Sequence, residues 1–362
     1  MENLIEYLKD KIYYVIGATV IIIILIIALN SCNGMSSLTY EDIERNMVNA
    51  AKKYYSNRKD ALPTDNSSSV KVTVGTLIDG ELLKEIKDPN KSDQTCDGYV
   101  QVKKVDDEYV YIPFLTCKGN YEPKYLTDIV KNSKLDEYGN GVYEIDGDYV
   151  YRGEEVKNYI SIGDQTWRIV KVDEQGDIKL IFAGSESLQL FSVWDNKYNS
   201  ITNEKSGINT DYLHSTIRKY LDKFYEEKLS DDFKLKIIEK NICIGPQSLK
   251  AKDDQDKECS ITRKEKIGLI STSDYTKASL DNECIRFDSP SCINRNYLSS
   301  SSISTWLLTP VYDNNYEVYS LYGKVKKDYA NSENEVLPVV YLSKDTIVID
   351  GDGTIKNMYK IK

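Results

Sequence analysis

An unbroken apolar run near the N-terminus constrains this chain more than any other feature. From Ile12 to Leu29 no charged side chain interrupts the sequence. As a helix rising ~1.5 Å per residue, the run is about 27 Å long, close to the ~30 Å hydrocarbon thickness of a bilayer. It exceeds the roughly 7 to 15 apolar residues of a signal peptide, and a buried helix that is apolar on every face would need protein on every side. We therefore predict a transmembrane helix over 12–29.

The lysines around this run predict its orientation. Lys9 and Lys11 precede the run, and no Lys or Arg follows it before Arg45. A lysine bias of this kind keeps the N-terminus in the cytoplasm. We expect a cytoplasmic leader over 1–11, the lipid bilayer as the partner of 12–29, and a single-pass protein of the cell membrane whose C-terminal domains are extracellular.

An alternative anchor lies directly after the run. The motif Leu29-Asn30-Ser31-Cys32 is similar to a lipobox, at which bacterial lipoproteins are cleaved and lipidated. Asn30 and an acidic leader depart from that pattern. We therefore expect an uncleaved anchor and keep lipidation of Cys32 as the alternative. Both place the rest of the chain on the outer face of the membrane.

Length and charge limit the number of domains and the class of partner. Without its anchor, the chain of 362 residues is long enough for two extracytoplasmic domains, each with its own core. The net charge of −10 is spread without a basic block, which argues against nucleic acid as a partner. The 29 tyrosines fit the codon bias of an AT-rich bacterial genome, and the alternative is a sticky surface.

The cysteines indicate an oxidising compartment. Seven are present, and apart from Cys32 they fall into neighbouring pairs, which in an outward-facing chain is typical of disulfides. Six thiols allow about fifteen pairings, so pairing of neighbours is our hypothesis. The neighbours are Cys96 with Cys117, Cys243 with Cys259, and Cys284 with Cys292. Because the chain has no C-x-x-C motif and one histidine, we predict no metal site and no cofactor.

The segment after the anchor predicts a helix and then a hairpin. Thr39 and Asp42 form a capping box, and apolar residues recur at helical spacing behind it. Residues 99–105 and 108–115 are rich in Val, Tyr, Ile and Phe and flank a two-residue turn, so paired positions add to 213. This register places Cys96 opposite Cys117, within disulfide reach. It also predicts that the strand containing Pro113 lies at the sheet edge.

The outer part of the chain predicts strands with two helices among them. Residues 142–145 and 149–151 form one hairpin and 167–172 and 178–182 another, each around a polar turn. Apolar spacing predicts helices over 209–224 and 233–242, and further strands follow. We predict an α+β fold overall, with a linker over 118–140 because that segment is polar.

Two resemblances extend this prediction. The membrane helix, the amphipathic helix and the stretch from Thr76 to Pro89 resemble type IV pilins and pseudopilins, which implies a small pilin-like α+β stalk over 38–117. The chain lacks the Gly-Phe cleavage site of prepilins, so a stalk is favoured over a filament subunit.

The motifs Trp167-Arg168-Ile169-Val170, Trp306-Leu307-Leu308-Thr309-Pro310 and Leu337-Pro338-Val339-Val340 resemble uncharacterised Gram-positive and mollicute surface domains. Their placing is similar to that in formylglycine-generating enzymes, which implies a larger mixed α+β, C-type-lectin-like domain over 141–362.

The sequence offers few catalytic or metal-binding candidates. His214 follows Tyr212 and Leu213 on a predicted helix, without a nucleophile elbow, so we assign it no catalytic role. An enzyme of the formylglycine-generating type would need free Cys284 and Cys292, for which we favour a disulfide. Asp350 and Asp352 are candidate calcium ligands but lack the order of an EF-hand, so a tight turn is favoured. The cluster Asp253, Asp254 and Asp256 is flanked by lysines, so a solvated loop is favoured there.

Aromatic residues supply the remaining ligand-binding candidates. Trp167, Trp194 and Trp306 can stack on sugars, although tryptophans in strands are more often core. Trp194 is the best candidate because Asp195 and Asn196 indicate an exposed loop.

We predict a non-enzymatic, membrane-anchored bacterial surface protein that presents a disulfide-bridged adhesion domain to an extracellular glycan or protein. The alternative is a pilus-like or envelope-assembly subunit.

Overall fold

The computed structural model describes residues 38–361 except 66–67, 106–107, 123, 186–187, 248–258 and 301–302. The predicted leader, the predicted membrane helix and Cys32 therefore lie outside the described residues. Within the part of the chain that is described, none of the helices combines the length and the apolar character needed to cross a membrane. The chain divides into two units, with the boundary between Glu122 and Pro123.

The smaller unit has two α-helices, one 3-10 turn and five strands in its described part. They are α1 (Tyr40–Ser56), the 3-10 turn Lys59–Ala61, β1 (Ser69–Thr73), α2 (Val74–Asp79), β2 (Lys87–Asp88), β3 (Lys91–Thr95), β4 (Asp97–Val105) and β5 (Glu108–Thr116). Strands β1, β4 and β5 form an antiparallel sheet in that order, and β2 pairs with β3. Helix α1 packs against this sheet and encloses the unit's core.

Local sequence signals account for the smaller unit. Thr39 and Asp42 form the predicted capping box, in which each side chain accepts a hydrogen bond from the other residue's backbone. The pairing of β4 with β5 runs from Asp97 opposite Thr116 to Val105 opposite Glu108, so the predicted register is confirmed. Pro113 lies in β5, at the edge of the sheet as predicted, because proline has no N–H to donate to a ladder and an edge strand pairs on one side only.

The larger unit begins with a short strand and a helix inside the segment that we assigned to a linker. These are β6 (Lys124–Tyr125) and α3 (Leu126–Lys131). Further elements are β7 (Gly141–Ile145), β8 (Asp148–Arg152), β9 (Tyr159–Ile162), β10 (Gln165–Val172), β11 (Ile178–Ser185), β12 (Phe191–Val193), the 3-10 turn Tyr212–His214, α4 (Thr216–Lys228), α5 (Asp231–Lys234), β13 (Ile237–Ile238), β14 (Lys240–Cys243), β15 (Thr262–Glu265) and β16 (Ile267–Gly268). The chain continues with α6 (Thr272–Ala278), the 3-10 turns Pro290–Ile293 and Tyr297–Ser300, β17 (Thr305–Pro310), β18 (Glu317–Tyr322), β19 (Lys324–Tyr329), β20 (Glu333–Glu335), β21 (Val339–Leu342), β22 (Ile347–Asp350) and β23 (Tyr359–Ile361).

Two sheets organise the larger unit. The first has the strand order β13-β21-β11-β10-β9-β23-β22-β6, with β16 also on β21 and the β7–β8 hairpin on β10. The second has the order β12-β20-β17-β18-β19. The central strands β10 and β11 are buried on both faces. Trp167 and Leu180 belong to one apolar cluster, and Val170 and Ile181 belong to a second, with Tyr319.

The predicted α+β fold class is wrong for the described chain. Its structure is mostly β, with 39 % strand and 22 % helix. Part of the difference lies in the segment 233–242, where a helix was predicted. Only α5 is helical there, and the chain then forms β13 and β14. Ile237 and Ile238 are β-branched, and they pair with β21 rather than continuing a helix.

The boundaries of the other predicted helix also differ. The helix predicted over 209–224 begins at Thr216, where Ser215 caps it, and a 3-10 turn precedes it. Leu213 therefore lies outside the helix that its spacing favoured. The hairpins predicted around Asp146-Gly147 and between β10 and β11 are confirmed.

Candidate functional site

A cleft of about 610 Å³ lies on the larger unit beside its five-stranded sheet. Its volume falls within the roughly 300–1,000 Å³ of small-molecule sites. Four separate segments of the chain contribute to its walls. The lining residues are Pro246, Gln247, Asp288, Tyr312, Asp313, Tyr319, Val325, Lys326 and Lys327.

The β18–β19 hairpin supplies the apolar floor of the cleft. The two strands pair antiparallel and turn at Gly323, which has a φ of +66° that favours glycine. Tyr319 and Val325 project from this hairpin into the apolar cluster below, and each is 9 % exposed. The Tyr319 ring packs edge-on against Phe287, with 4.8 Å between the ring centroids. These contacts fix the floor as part of the folded core.

A disulfide-bridged loop supplies one wall. Cys284 is bonded to Cys292, and Asp288 lies between them. Arg286 donates two hydrogen bonds to the Asp288 carboxylate, at 2.8 and 2.6 Å, and this pairing lowers the pKa of Asp288. Asn296 anchors the end of the loop, since its buried amide donates to the carbonyl oxygens of Tyr275 and Cys292. The loop is therefore held at both ends.

Gln247 connects the opposite wall to the interior of the unit. Its side chain is buried, and Oε1 accepts hydrogen bonds from the hydroxyls of Thr272 at 3.0 Å and Thr309 at 3.2 Å. Thr272 begins helix α6, and Thr309 lies in β17. A second disulfide, Cys243–Cys259, lies close to Gln247 in sequence. The wall thus rests on fixed hydrogen bonds.

Opposite charges are paired within the cleft. Lys327 donates to both carboxylate oxygens of Asp313, at 3.0 and 3.1 Å. This contact lowers the pKa of the Asp313 carboxyl and raises the pKa of Lys327. Lys326 lies 3.2 Å from a carboxylate oxygen of Asp328. The shifts of Asp313 and Lys327 favour the charged form of each partner.

Tyr312 stands at the rim and is 83 % exposed. It follows β17 at the point where the chain turns toward β18. An aromatic ring this exposed beside paired charges offers an apolar face and a phenolic hydroxyl to a ligand. The cleft can therefore bind a small molecule by stacking and hydrogen bonding.

Comparison with known proteins places this cleft within one recognised domain. Residues 185–344 match DUF6273, described as a domain of unknown function. Every residue that lines the cleft lies within that match. No curated protein and no solved structure matches the chain. The DUF6273 match names no ligand and no reaction.

The sequence-predicted ligand residues lie elsewhere. Trp194 is fully buried and packs near Tyr212, with 6.1 Å between ring centroids, so it offers no stacking face. The Asp195 carboxylate is also buried and accepts a hydrogen bond from the backbone of Ile208 at 2.9 Å. Asn196 is exposed and accepts from Thr216 at 3.4 Å. The polar residues around Trp194 hold a loop together over a buried ring.

The other aromatic and titratable candidates are buried in the core or pair with neighbouring side chains, and none of the described ones lines the cleft. Trp167 and Trp306 are fully buried in the core. His214 is 75 % exposed and contacts Asp211 at 2.8 Å. Asp350 pairs with Lys360, and Asp352 accepts hydrogen bonds from Thr354 in a turn. The group Asp253, Asp254 and Asp256 lies outside the described residues.

The cysteines form three disulfides within the described chain. They are Cys96–Cys117, with 4.3 Å between Cα atoms, Cys243–Cys259 and Cys284–Cys292. Asp88 lies close to Cys96 and Cys117 in an arrangement that could suit a metal, but both sulfurs are in the disulfide. The Asp88 carboxylate instead accepts hydrogen bonds from Tyr40 and Asn120.

Sequence reasoning missed the cleft itself. Tyr312 and Asp313 occur in Val311-Tyr312-Asp313-Asn314-Asn315, a turn between two strands that is one of several Asn- and Asp-rich turns. The lysines Lys326 and Lys327 belong to one of many lysine-rich stretches. The fold brings Tyr312 and Asp313 next to the disulfide loop that contains Asp288. No local sequence motif signals that these segments meet.

Proposed function

We propose that the larger unit is an extracellular binding domain and that its cleft holds the ligand, with residues 12–29 anchoring the chain in the membrane. The observation that carries the proposal is the cleft itself. It combines an exposed tyrosine, paired charges and two walls close to disulfides. Disulfides are compatible with an oxidising exterior.

A binding role accounts for the chemistry of the cleft better than catalysis does. Asp288 and Asp313 are each held by a cation, which keeps their pKa values low and makes them poor proton acceptors near neutral pH. Cys284 and Cys292 are bonded to each other, so neither is a free thiol in this structure. Charged groups in this state orient a bound molecule by hydrogen bonds.

Attachment of cells that display the full chain tests the proposal. Cells are washed over surfaces coated with purified peptidoglycan or with mucin, and the retained fraction is counted. Tyr312→Ala combined with Lys326→Ala should reduce retention strongly, because these side chains are exposed or partly exposed in the cleft. Tyr198→Ala removes a tyrosine that is 58 % exposed and does not line the cleft, so it is the matched control. Retention that equals wild type in the cleft variant would contradict the proposal.

A further inference from the structure

The charged groups of the cleft are already neutralised by partners on the protein. Asp313 is paired with Lys327, Asp288 with Arg286, and Lys326 with Asp328. Two lysines and two aspartates line the cleft, so their charges cancel. A charged ligand would have to compete with these ion pairs for its partner. It would also gain little electrostatic attraction, because the net charge of the lining is zero. Charge balance therefore favours an uncharged ligand.

The same groups keep capacity for further hydrogen bonds. An ionised carboxylate has about four lone-pair positions and an ammonium group has three donors. The contacts of Asp313 and Asp288 with their cations leave lone pairs on carboxylates that are 67 % and 42 % exposed. Hydroxyl groups both donate and accept, so they can occupy these positions without displacing the cations. A polyhydroxylated molecule satisfies such a site.

The apolar surfaces of the cleft add a second requirement. The Tyr312 ring is exposed at the rim, and Tyr319 and Val325 form the floor. A ligand that fits has an apolar face for the ring as well as hydroxyls for the charges. Sugar rings carry both, since one face presents C–H groups while hydroxyls surround the edge.

The strand beside the cleft argues against an extended peptide as the occupant. Strand β19 is the outer strand of its sheet and contains Lys324, Lys326 and Lys327. Charged side chains on an edge strand, lysine above all, hinder the addition of another strand. These lysines therefore disfavour main-chain pairing of a peptide with β19 beside the cleft.

We infer that the cleft takes a short neutral oligosaccharide, with one sugar ring stacked on Tyr312 and hydroxyls bound by the carboxylates of Asp288 and Asp313. This inference rests on the proposed function of the cleft and adds the class of ligand. In this arrangement Tyr312 supplies apolar contact, and the paired charges supply orientation. Because both carboxylates remain paired with cations, the binding changes no protonation state near neutral pH.

Calorimetric titration of the purified full-length protein in detergent micelles tests the class of ligand. The neutral probes are chitotriose, cellotriose and maltotriose, and the charged probes are trigalacturonate and trilysine. At least one neutral probe should bind, with an affinity that hardly changes between low and high salt. Tyr312→Ala should weaken that affinity by about two- to tenfold, because it removes the aromatic face on which the sugar ring stacks. Tyr198→Ala should leave it unchanged.

The outcomes separate the ligand class from the proposed function. Binding of a charged probe alone, weakened by Tyr312→Ala, would overturn the neutral saccharide while the cleft kept its binding role. Failure of every neutral probe would also overturn it, even if Tyr312→Ala still reduced cell attachment. If the cleft variants changed neither titration nor attachment, the proposed function itself would fail. Circular dichroism of Tyr312→Ala checks its folding, which an 83 % exposed side chain should not affect.

Discussion

The ion pair between Lys179 and Asp274 shows how single side chains hold the interior of the larger unit. Their charged atoms lie 2.7 Å apart, and each side chain is 3 % exposed. Asp274 also accepts hydrogen bonds from the backbone and the hydroxyl of Ser271, which caps α6. The adjoining Thr272 bonds Gln247 in the cleft wall. Buried charges of this kind are tolerated only because their polar atoms are satisfied.

Removing one member of this pair should be costly. Asp274→Ala leaves the Lys179 ammonium buried without its carboxylate, and we expect a loss of about 3–5 kcal/mol in the free energy of unfolding. Asp350→Ala is the control, since its partner Lys360 forms an exposed pair that should contribute only about 0–1 kcal/mol. Urea denaturation followed by fluorescence measures both. Equal losses in the two variants would show that burial does not decide the effect.

The environment of Trp194 differs from the exposed loop that its sequence predicts. The sequence around it, with Asp195 and Asn196, has the composition of an exposed loop. In the structure the Asp195 carboxylate accepts from the backbone N–H of Ile208, so the polar residue is consumed in closing the loop over the ring. Composition reports which residues are polar, and it does not report which backbone groups they satisfy.

Strand elements in the five-stranded sheet are joined through one carboxylate. Asp328 in β19 accepts hydrogen bonds from Ser320 in β18 at 2.6 Å and from Asn334 in β20 at 3.1 Å. Ser304, directly before β17, donates to the same oxygen at 3.2 Å. Burial alone would raise the pKa of Asp328, but the hydrogen bonds and Lys326 lower it overall. The ionised form is therefore the one that the folded sheet stabilises.

This carboxylate should make the sheet sensitive to acid. Because the folded-state pKa is below the unfolded value, its contribution is present above about pH 4 and is lost as the pH falls through the lower, folded-state value. We expect Asp328→Asn to be less stable than wild type near neutral pH. The difference should hold down to about pH 5 and then shrink as the pH falls from about 5 toward 2. Urea midpoints across that range test this, and a difference that stays constant with pH would contradict it.

The short disulfide loop beside the cleft gives a prediction for a different element. Cys284 and Cys292 are eight residues apart, and closing so small a loop restricts the unfolded chain by about 2–3 kcal/mol. We expect the double substitution Cys284→Ala and Cys292→Ala to lower stability by that amount. It should also increase hydrogen exchange around Phe287 and Asp288. Thermal unfolding with exchange mass spectrometry measures both, and unchanged exchange would show that Asn296 alone holds the loop.

Elements that depend on local signals were predictable, whereas elements that depend on distant partners were not. The β4–β5 register followed from a two-residue turn and alternating side chains, and it placed Cys96 opposite Cys117. The segment 233–242 has helical spacing, but β13 pairs with β21, about a hundred residues later. Pairing of this kind outweighs local propensity, and a single sequence does not display it.

The whole molecule contains separate apolar cores in its two units. Met47, fully buried in α1, belongs to the core of the smaller unit. Met47→Ala should destabilise that unit by about 2–5 kcal/mol, because it removes buried atoms and leaves a cavity. Hydrogen exchange should rise in β4 and β5 and stay unchanged in β10 and β11. Equal deprotection of all four strands would contradict separate cores.

The candidate site could not be predicted for a reason that belongs to the whole fold. Gln247, Asp288, Tyr312 and Lys326 lie far apart in the sequence, and the fold of the larger unit brings three loops and strand β19 to one cleft. No spacing rule connects positions so distant. What the sequence did indicate was the pairing of its cysteines, because six of the seven fall into neighbouring pairs and these pairs are bonded in the structure.

Labelling of cysteines on intact cells tests most directly whether this disulfide-bridged domain faces the exterior. Cells carrying the full chain are treated with a membrane-impermeant maleimide, before and after a membrane-impermeant reductant, and labelled sites are mapped by mass spectrometry. We expect no labelling of Cys243, Cys259, Cys284 and Cys292 before reduction, and labelling of their accessible members after reduction without lysis. Free thiols before reduction, or labelling only after lysis, would contradict it.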